Sequence, residues 1–267
     1  MKQRVYCLLL LMSLLCTGCA AGAVPTETAL ATVPPQTETA VPATAPTETT
    51  LPTETAAPIC WEDNIHSGLL EDGSFGEGAV FIGDSLTVGL VCQYLMPEGF
   101  LGQARYMAQI GAPLRQFFSR STLLQRETAT CSWQFYDQTY WDAAAIAGKT
   151  ATAVYFMLGT NFDMDNNAES YIRAVEYLLE VCPNATIYLQ TIPMSSSDQV
   201  HCPEVNASIA EARSHFAQLG IQRVMVIDTC TGIGDNTVSD GVHLSVDGYR
   251  RWYETIVRFM EENQIPQ

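Results

Sequence analysis

The sequence has 267 residues, of which 47% are hydrophobic, and a formal charge of −16 from 29 acidic and 13 basic side chains. This length holds one domain of ordinary size or two small ones. The negative charge argues against nucleic acid or an anionic membrane surface as a direct ligand, because both would repel the chain. Neutral or partly cationic substrates would not be repelled by this charge.

The first 18 residues are typical of a secretory signal peptide. Two basic residues precede an apolar run over residues 5–16, and small residues follow. The run is too short to indicate a membrane-spanning helix. Residues 15–19, Leu-Cys-Thr-Gly-Cys, resemble a bacterial lipobox, although Cys16 stands where leucine is usual. The resemblance implies that the signal is removed and that Cys19 carries lipid, with plain secretion or an uncleaved signal anchor as alternatives.

Residues 19–58 are predicted to be the lipidated cysteine and a disordered linker. Most of the linker is Ala, Thr, Pro or Glu, and the motif Pro-Thr-Glu-Thr recurs in it. Such a segment cannot bury enough apolar surface to offset the entropy lost on ordering. We therefore expect a tether that holds a single domain, residues 59–267, at the outer face of the bacterial cytoplasmic membrane or elsewhere in the cell envelope.

Apolar runs alternate with helical patterns along residues 59–267. The predicted strands are residues 79–83, 105–110, 153–158, 186–191 and 223–228. The predicted helices are residues 86–95, 113–125, 168–182, 205–219 and 246–262. Aromatic side chains in residues 121–150 lack clear periodicity, and most of them are expected to pack. Because the strands lack polar alternation, they predict a parallel sheet covered on both faces, in a three-layer α/β/α domain.

Ser85 stands where an apolar strand stops at Gly83 and Asp84. Gly111 and Asn161 directly follow two other predicted strand ends. Because ligand sites of parallel sheets lie beyond the carboxyl ends of the strands, these residues are expected to meet at one edge. A serine or aspartate at such a turn also commonly caps a helix, so Ser85 alone is weak evidence of a nucleophile.

The best candidate base is His243, which follows Asp240 by three residues. This close spacing lets one loop present the imidazole while the carboxylate orients it. The chain has three other histidines. His66 and His215 are expected to be solvated or packed, whereas His201 follows a strand end and could border a pocket.

Four short blocks resemble those of the GDSL esterases, also called SGNH hydrolases. They occur in the right order over residues 78–250, and the resemblance implies a flavodoxin-like α/β/α domain with a five-stranded parallel sheet. One departure is Phe162, which stands where aspartate is usual, with Asp163 or Asp165 as a replacement. The blocks are Gly83-Asp84-Ser85-Leu86, Gly111 within Gln109-Ile110-Gly111-Ala112, Gly159-Thr160-Asn161 and Asp240-Gly241-Val242-His243.

The resemblance also implies roles for these residues. Ser85 would be the nucleophile, His243 the general base and Asp240 the residue that orients His243. The backbone N–H groups of Ser85 and Gly111, with the side-chain amide of Asn161, would form the oxyanion hole. The resemblance implies neither a metal nor a cofactor.

The leading functional hypothesis is an extracytoplasmic serine esterase that removes small acyl groups, acetyl foremost, from carbohydrate or cell-wall glycan. Its expected partners are the acylated carbohydrate and, through the lipid on Cys19, the membrane. Two alternatives remain at this stage. One is O-acyl transfer to a cell-wall or surface glycan through the same acyl-serine, and the other is a non-catalytic glycan-binding lipoprotein.

Cysteine usage leaves the redox state open. An even number of cysteines in an exported domain permits disulfides, and a bridge between Cys182 and Cys202 is one candidate. No pair has close metal-ligand spacing, and most are expected to pack as small apolar residues. The six cysteines of the domain are Cys60, Cys92, Cys131, Cys182, Cys202 and Cys230.

Overall fold

The computed structural model describes residues 65–125, 129–193, 201–236, 238 and 240–267. The predicted signal peptide, Cys19, the linker and Cys60 lie outside the described residues. Across these described ranges, no helix is both long and apolar enough to cross a membrane.

A six-stranded sheet forms the centre of the domain, in the order β3-β2-β1-β4-β5-β6. All strands except β3 run parallel to one another, in the flavodoxin-like order of parallel strands. The predicted five parallel strands are therefore confirmed, each to within one residue at its ends. The strands are β1 (Ala79–Gly83), β2 (Arg105–Gln109), β3 (Ala129–Cys131), β4 (Ala153–Met157), β5 (Thr186–Gln190) and β6 (Val224–Ile227).

Helices cover both faces of this sheet. They are α1 (Ser85–Gly89), α2 (Met96–Glu98), α3 (Tyr140–Gly148), α4 (Ala168–Val181), α5 (Cys202–Gln218), α6 (Thr229–Ile233) and α7 (Val246–Glu262). The helix predicted over residues 86–95 is α1 followed by a π-helical segment, Leu90–Leu95. This segment packs with α6 and α7 in one layer, and α3, α4 and α5 pack in the other. Every residue of β1, β4 and β5 is consequently buried.

The helix predicted over residues 113–125 is wrong beyond its first turn. Only a short 3-10 helix forms, Leu114–Phe118. Ser119 ends it, because its Oγ accepts the backbone N–H of Ser121 at 3.3 Å and of Thr122 at 2.9 Å. Such local bonds from a serine side chain compete with the helical hydrogen bonds of the backbone.

Two elements, β3 and α3, lie where aromatic residues obscured the sequence pattern. β3 is three residues long and pairs antiparallel with β2 at the edge of the sheet, so it adds a sixth strand that was not predicted. Thr139 caps α3, because its Oγ1 accepts the N–H of Asp142 at 3.0 Å and donates to the Asp142 carboxylate at 2.7 Å. A short edge strand needs no apolar run, and therefore gave no signal.

The predicted helix 246–262 is confirmed at both ends as α7. Ser245 caps it by accepting the N–H of Gly248 at 3.1 Å. Its buried residues recur at the three- and four-residue spacing of an amphipathic helix. One of them, Trp252, donates from Nε1 to Oε1 of Gln190 at 2.7 Å and so fixes α7 on the end of β5.

The two ends of the described domain meet beside the amino ends of the central strands. Ser67 donates from its backbone N–H and from its hydroxyl to the carbonyl of Pro266, at 3.1 and 2.7 Å. The next residue, Gly68, has a φ of +69°, and a Cβ there would lie 3.0 Å from that of Ala79 and 3.2 Å from that of Ala153. Ala79 and Ala153 begin β1 and β4, so the chain approaches the sheet from that edge.

The bridge considered between Cys182 and Cys202 is not formed. Cys182 is a buried free thiol, and burial raises its pKa to about 12. The thiol of Cys202 donates to the carbonyl of Pro193 at 3.0 Å. Cys182 therefore acts as a small packing residue, as expected for most cysteines of this domain.

Candidate active site

Ser85 is the first residue of α1 and follows the sharp turn that ends β1. Asp84 caps the helix, because its Oδ1 accepts the N–H of Leu86 at 3.0 Å. A Cβ on Gly83 would lie 1.9 Å from Oγ1 of Thr87, so the turn has no room for a side chain there. Ser85 is thus held at the carboxyl edge of the sheet by a turn that only glycine permits.

Asp84 also connects this turn to the loop after β4. Its second carboxylate oxygen accepts the N–H of Thr160 at 3.2 Å, and the side chain is fully buried. Burial raises the pKa of Asp84 to about 6, although the hydrogen bonds from Leu86 and Thr160 favour the ionised form. One buried carboxylate therefore sets the position of Ser85 relative to Asn161.

The second motif forms a tight turn after β2. The N–H of Ala112 donates to the carbonyl of Gln109 at 3.2 Å, and Gly111 between them has a φ of +75°. A Cβ at Gly111 would meet open space, so the left-handed conformation, and not crowding, is what favours glycine. Gly111 then lines the cavity described below.

Asn161 joins this turn to the loop after β4. Its Nδ2 donates to the carbonyl of Ala112 at 3.1 Å. A side-chain amide carries two N–H donors, and this bond uses one of them. The residues predicted for the oxyanion hole on these two loops, Gly111 and Asn161, therefore lie side by side.

Asp240 and His243 form the acid–base pair that their spacing predicts. Nδ1 of His243 lies 2.7 Å from Oδ2 of Asp240. The other carboxylate oxygen accepts the backbone N–H groups of Val242 and His243, each at 2.9 Å. The aspartate thus holds both the ring and the backbone of its own loop.

The electrostatics of this pair suit a general base. Burial is the largest single influence and disfavours the Asp240 carboxylate, but the hydrogen bonds from Val242 and His243 together outweigh it and lower the pKa of Asp240 to about 2. An ionised carboxylate beside Nδ1 favours the tautomer with the proton on that nitrogen. The lone pair then lies on Nε2, where it can accept a proton from a nucleophile.

A cavity of about 550 Å³ opens where these loops meet. Gly111, Asn161 and Val242 line it, so it is reached by the second, third and last motifs. In the described part of the chain, no hydrogen bond joins the Ser85 hydroxyl to the His243 ring. Such bonds are often long before substrate binds. The structure therefore forms the His243 and Asp240 pair but not the predicted contact between nucleophile and base.

The same cavity has walls that the sequence motifs do not explain. His201 lies on it, as considered from the sequence, with its ring centroid 4.0 Å from that of Phe162. Arg115 also lies on it and pairs with Asp163, Nη1 to Oδ2, at 2.5 Å. Asp163, one of the two candidates to replace the aspartate that is usual at position 162, thus pairs with an arginine. Arg115 was missed because it lay in a predicted helix, and nothing in the sequence marks it.

The other two histidines lie away from the cavity. The backbone N–H of His66 donates to Oγ1 of Thr186 at 3.0 Å, and the ring of His215 packs edge-on against Phe216, with centroids 5.1 Å apart. His215 therefore packs, as expected from the sequence.

No family model matches the sequence, and no curated protein matches it. Solved structures that resemble the chain are those of esterases, acylhydrolases and an O-acetyltransferase domain. One is the C-terminal catalytic domain of peptidoglycan O-acetyltransferase A from Streptococcus pneumoniae. It is 14% identical, covers 70% of this chain and 94% of that one, and has a TM-score of 0.46.

Two further similar structures are a family 3 carbohydrate esterase from Clostridium thermocellum and a member of the lipolytic G-D-S-L family from Veillonella parvula. The first is 15% identical and covers 69% of this chain and 95% of that one, with a TM-score of 0.47. The second is 15% identical and covers 68% and 97%, with a TM-score of 0.45. These similarities concern the backbone, and the residues of this chain support the function proposed below.

Proposed function

We propose that the chain is an extracytoplasmic serine esterase that removes small acyl groups, acetyl above all, from carbohydrate or cell-wall glycan. The observation that carries the proposal is the 2.7 Å contact between His243 and Asp240, on a loop that shares a cavity with Gly111 and Asn161. Ser85 begins α1 at the same edge of the sheet and is tied to the Asn161 loop through Asp84.

The reaction would proceed in two displacements. Nε2 of His243 accepts the hydroxyl proton of Ser85 as Oγ attacks the ester carbonyl carbon. The ester C–O bond then breaks, the imidazolium returns the proton to the departing sugar oxygen, and the acyl group stays on Ser85. Water attacks this acyl-serine with the same base, which releases the carboxylic acid and restores the hydroxyl. Asp240 holds the tautomer and stabilises the charged ring throughout.

The negative charge that develops on the carbonyl oxygen needs donors placed in advance. The second N–H of Asn161 Nδ2, with the backbone N–H groups of Gly111 and Ser85, would supply them. One such donor contributes about 3 to 4 kcal/mol to lowering the barrier. Asn161 is therefore expected to matter nearly as much as the acid–base pair.

The glycan substrate rests on the predicted export and on the resemblance of four motifs to GDSL esterases. The size of the cavity supports it, since about 550 Å³ is far more than an acetyl group fills. A small acyl group thus leaves room for a bulky alcohol.

The test uses the purified full-length chain with p-nitrophenyl acetate and a fluorophosphonate probe. We expect turnover and one covalent adduct, both abolished by Ser85→Ala. Ser214→Ala, on α5 and away from the cavity, is the matched control and should retain both. Turnover that survives Ser85→Ala would show that Ser85 is not the nucleophile. Absence of both turnover and adduct in the unmodified chain would favour a glycan-binding lipoprotein.

A second experiment distinguishes ester hydrolysis from acyl transfer. Acetylated xylan and peptidoglycan are incubated with the chain, and free acetate is compared with acetyl transferred to an added glycan acceptor. Release of acetate without transfer is the expected result. Transfer exceeding release would assign the same acyl-serine to an O-acyltransferase.

Membrane attachment through Cys19 is a separate proposal. Palmitate labelling of the expressed chain should depend on Cys19, and removal of the signal should be blocked by globomycin, with Cys7→Ala as the control. Absence of label would leave secretion or an uncleaved signal.

A further inference from the structure

Two aromatic rings meet on the cavity wall beyond the candidate catalytic groups. Phe162 follows Asn161 in the loop after β4, and His201 precedes α5. Their ring centroids are 4.0 Å apart and their planes are tilted by 32°. Phe162 is 39% exposed although it is large and apolar, and both residues line the cavity. At this distance the two rings stack on each other, so the outward face of the exposed stack offers a flat apolar surface to a ligand.

The ion pair of Arg115 and Asp163 lies on the same cavity. The side chain of Asp163 is 14% exposed and that of Arg115 is 62% exposed. Oδ1 of Asp163 accepts the N–H of Asp165 at 2.9 Å, so the protein holds the carboxylate, and the carboxylate holds the guanidinium. A guanidinium has five N–H donors, and this contact leaves several for a ligand. The pair is neutral as a whole.

These features together select one kind of ligand. A pyranose ring has an apolar face of C–H groups and a rim of hydroxyl groups. Its face can pack on the outward face of the stack that Phe162 and His201 form, while a hydroxyl accepts from Arg115. An aliphatic acyl chain would leave the guanidinium unused, and an acidic sugar would gain nothing from a cation that is already neutralised by Asp163.

We propose that Phe162, His201 and the Arg115 and Asp163 pair bind the uncharged sugar ring that carries the scissile ester. The subsite rests on the proposed function, because the oxygen of this sugar is the one that His243 protonates as the ester bond breaks. Phe162 then determines which alcohol is accepted, in the loop position directly after the oxyanion donor Asn161.

The first test compares two acetate esters on the full-length chain. Methyl tri-O-acetyl-β-xylopyranoside has a sugar as its leaving group, and vinyl acetate has no ring. Phe162→Ala should lower the ratio of kcat/KM, sugar ester over vinyl ester, by about tenfold, mainly through KM. Phe162→Tyr should keep the ratio, and Arg115→Ala should lower it. Trp133→Ala removes an exposed aromatic residue that does not line this cavity, and should leave both substrates unchanged.

Two outcomes would overturn the subsite. One is a ratio that stays the same in Phe162→Ala, whether both rates fall or neither does. The other is a fall confined to longer acyl chains in a series from vinyl acetate to vinyl octanoate, which would make the rings an acyl pocket.

A binding arm separates failure of the subsite from failure of the proposed function. Xylotetraose and chitotetraose are titrated calorimetrically into Ser85→Ala, and Phe162→Ala is then added to that variant. At least one oligosaccharide should bind, with a dissociation constant raised about tenfold by the second change. Binding of this kind without esterase activity in the unmodified chain would retain the subsite and reject the esterase. Esterase activity with no oligosaccharide binding would retain the esterase and reject the subsite.

Discussion

The candidate nucleophile and the candidate base are held in opposite ways. Ser85 is 8% exposed, and the buried carboxylate beside it ties its turn to the loop after β4, far along the chain. The side chains of His243 and Asp240 are 41% and 49% exposed, and their contacts span three residues. The position of the nucleophile thus depends on the core, and that of the base on its own short loop. Changes near Ser85 should affect stability and activity together, and changes at Asp240 should affect activity alone.

The largest effect is expected from Asp240→Asn. The amide would present an N–H to Nδ1 of His243 and favour the wrong tautomer, so kcat should fall about 10⁴-fold. The thermal unfolding midpoint should change little, because the contacts of Asp240 are local and its half-exposed position lets solvent screen the stability that its lowered pKa reflects. Kinetics and calorimetry on the same preparation check both statements.

The matched control is Asp247→Asn, which changes another half-exposed aspartate that pairs with Arg250 on α7. It should leave kcat unchanged. If Asp240→Asn lowers the unfolding midpoint markedly as well as kcat, the loop that holds Asp240 and His243 is coupled to the core. The difference from Ser85 in how the residues are held would then disappear.

Asn161→Ala should have the next largest effect. Loss of one oxyanion donor lowers kcat by about 10²- to 10³-fold. Stability should change little, because the side chain makes one 3.1 Å hydrogen bond, to Ala112. Asn263→Ala, which removes an exposed amide at the end of α7, should have no effect on kcat. A rise in KM with unchanged kcat would show that Asn161 binds substrate and does not stabilise an oxyanion.

Asp84→Ala tests the buried side of the contrast. It removes a helix cap and leaves the N–H of Thr160 buried without a partner, which should cost about 3 kcal/mol of unfolding free energy. Asp228 caps α6 in a similar way but is less buried, so Asp228→Ala should cost about 1 kcal/mol. Denaturant unfolding measures both. Equal losses would mean that the link from Asp84 to Thr160 contributes nothing.

The smallest effect concerns pH. Burial raises the pKa of Asp84 to about 6, above its ordinary value of 3.8. The folded state therefore binds this proton more tightly than the unfolded state, and the associated stability is lost as pH rises from about 4 to about 6. The asparagine in Asp84→Asn does not titrate, so this variant has no such loss of stability. The unfolding free energy of Asp84→Asn relative to the unmodified chain should rise by on the order of 2 kcal/mol over this range. A constant difference would mean that burial does not raise the pKa of Asp84.

The parts predicted from sequence are those set by local patterns. β1 and α7 were predicted to the residue, because an apolar run ends at Gly83 and a serine cap begins the helix at Ser245. The pair of Asp240 and His243 was predictable for the same reason, since three residues of one loop bring the groups together.

Gly111, Asn161 and His201 were considered from the sequence, but the contacts that build the cavity wall could not be predicted, because distant loops form them. Arg115 and Asp163 are 48 residues apart, and they pair only once the loops after β2 and β4 are in place. Phe162 and His201 meet only once β4 and α5 are in place. The contacts of the cavity wall, unlike the acid–base pair, therefore leave no local signature in the sequence.

The contact of Ser67 with Pro266 marks where the described chain enters and leaves the domain. Gly68 approaches the sheet beside the first residues of β1 and β4, whereas Ser85, Asn161 and the cavity belong to the opposite edge. The described chain therefore enters the domain on the side away from its cavity. A long ligand that extends from the mouth of the cavity would not meet this entry point.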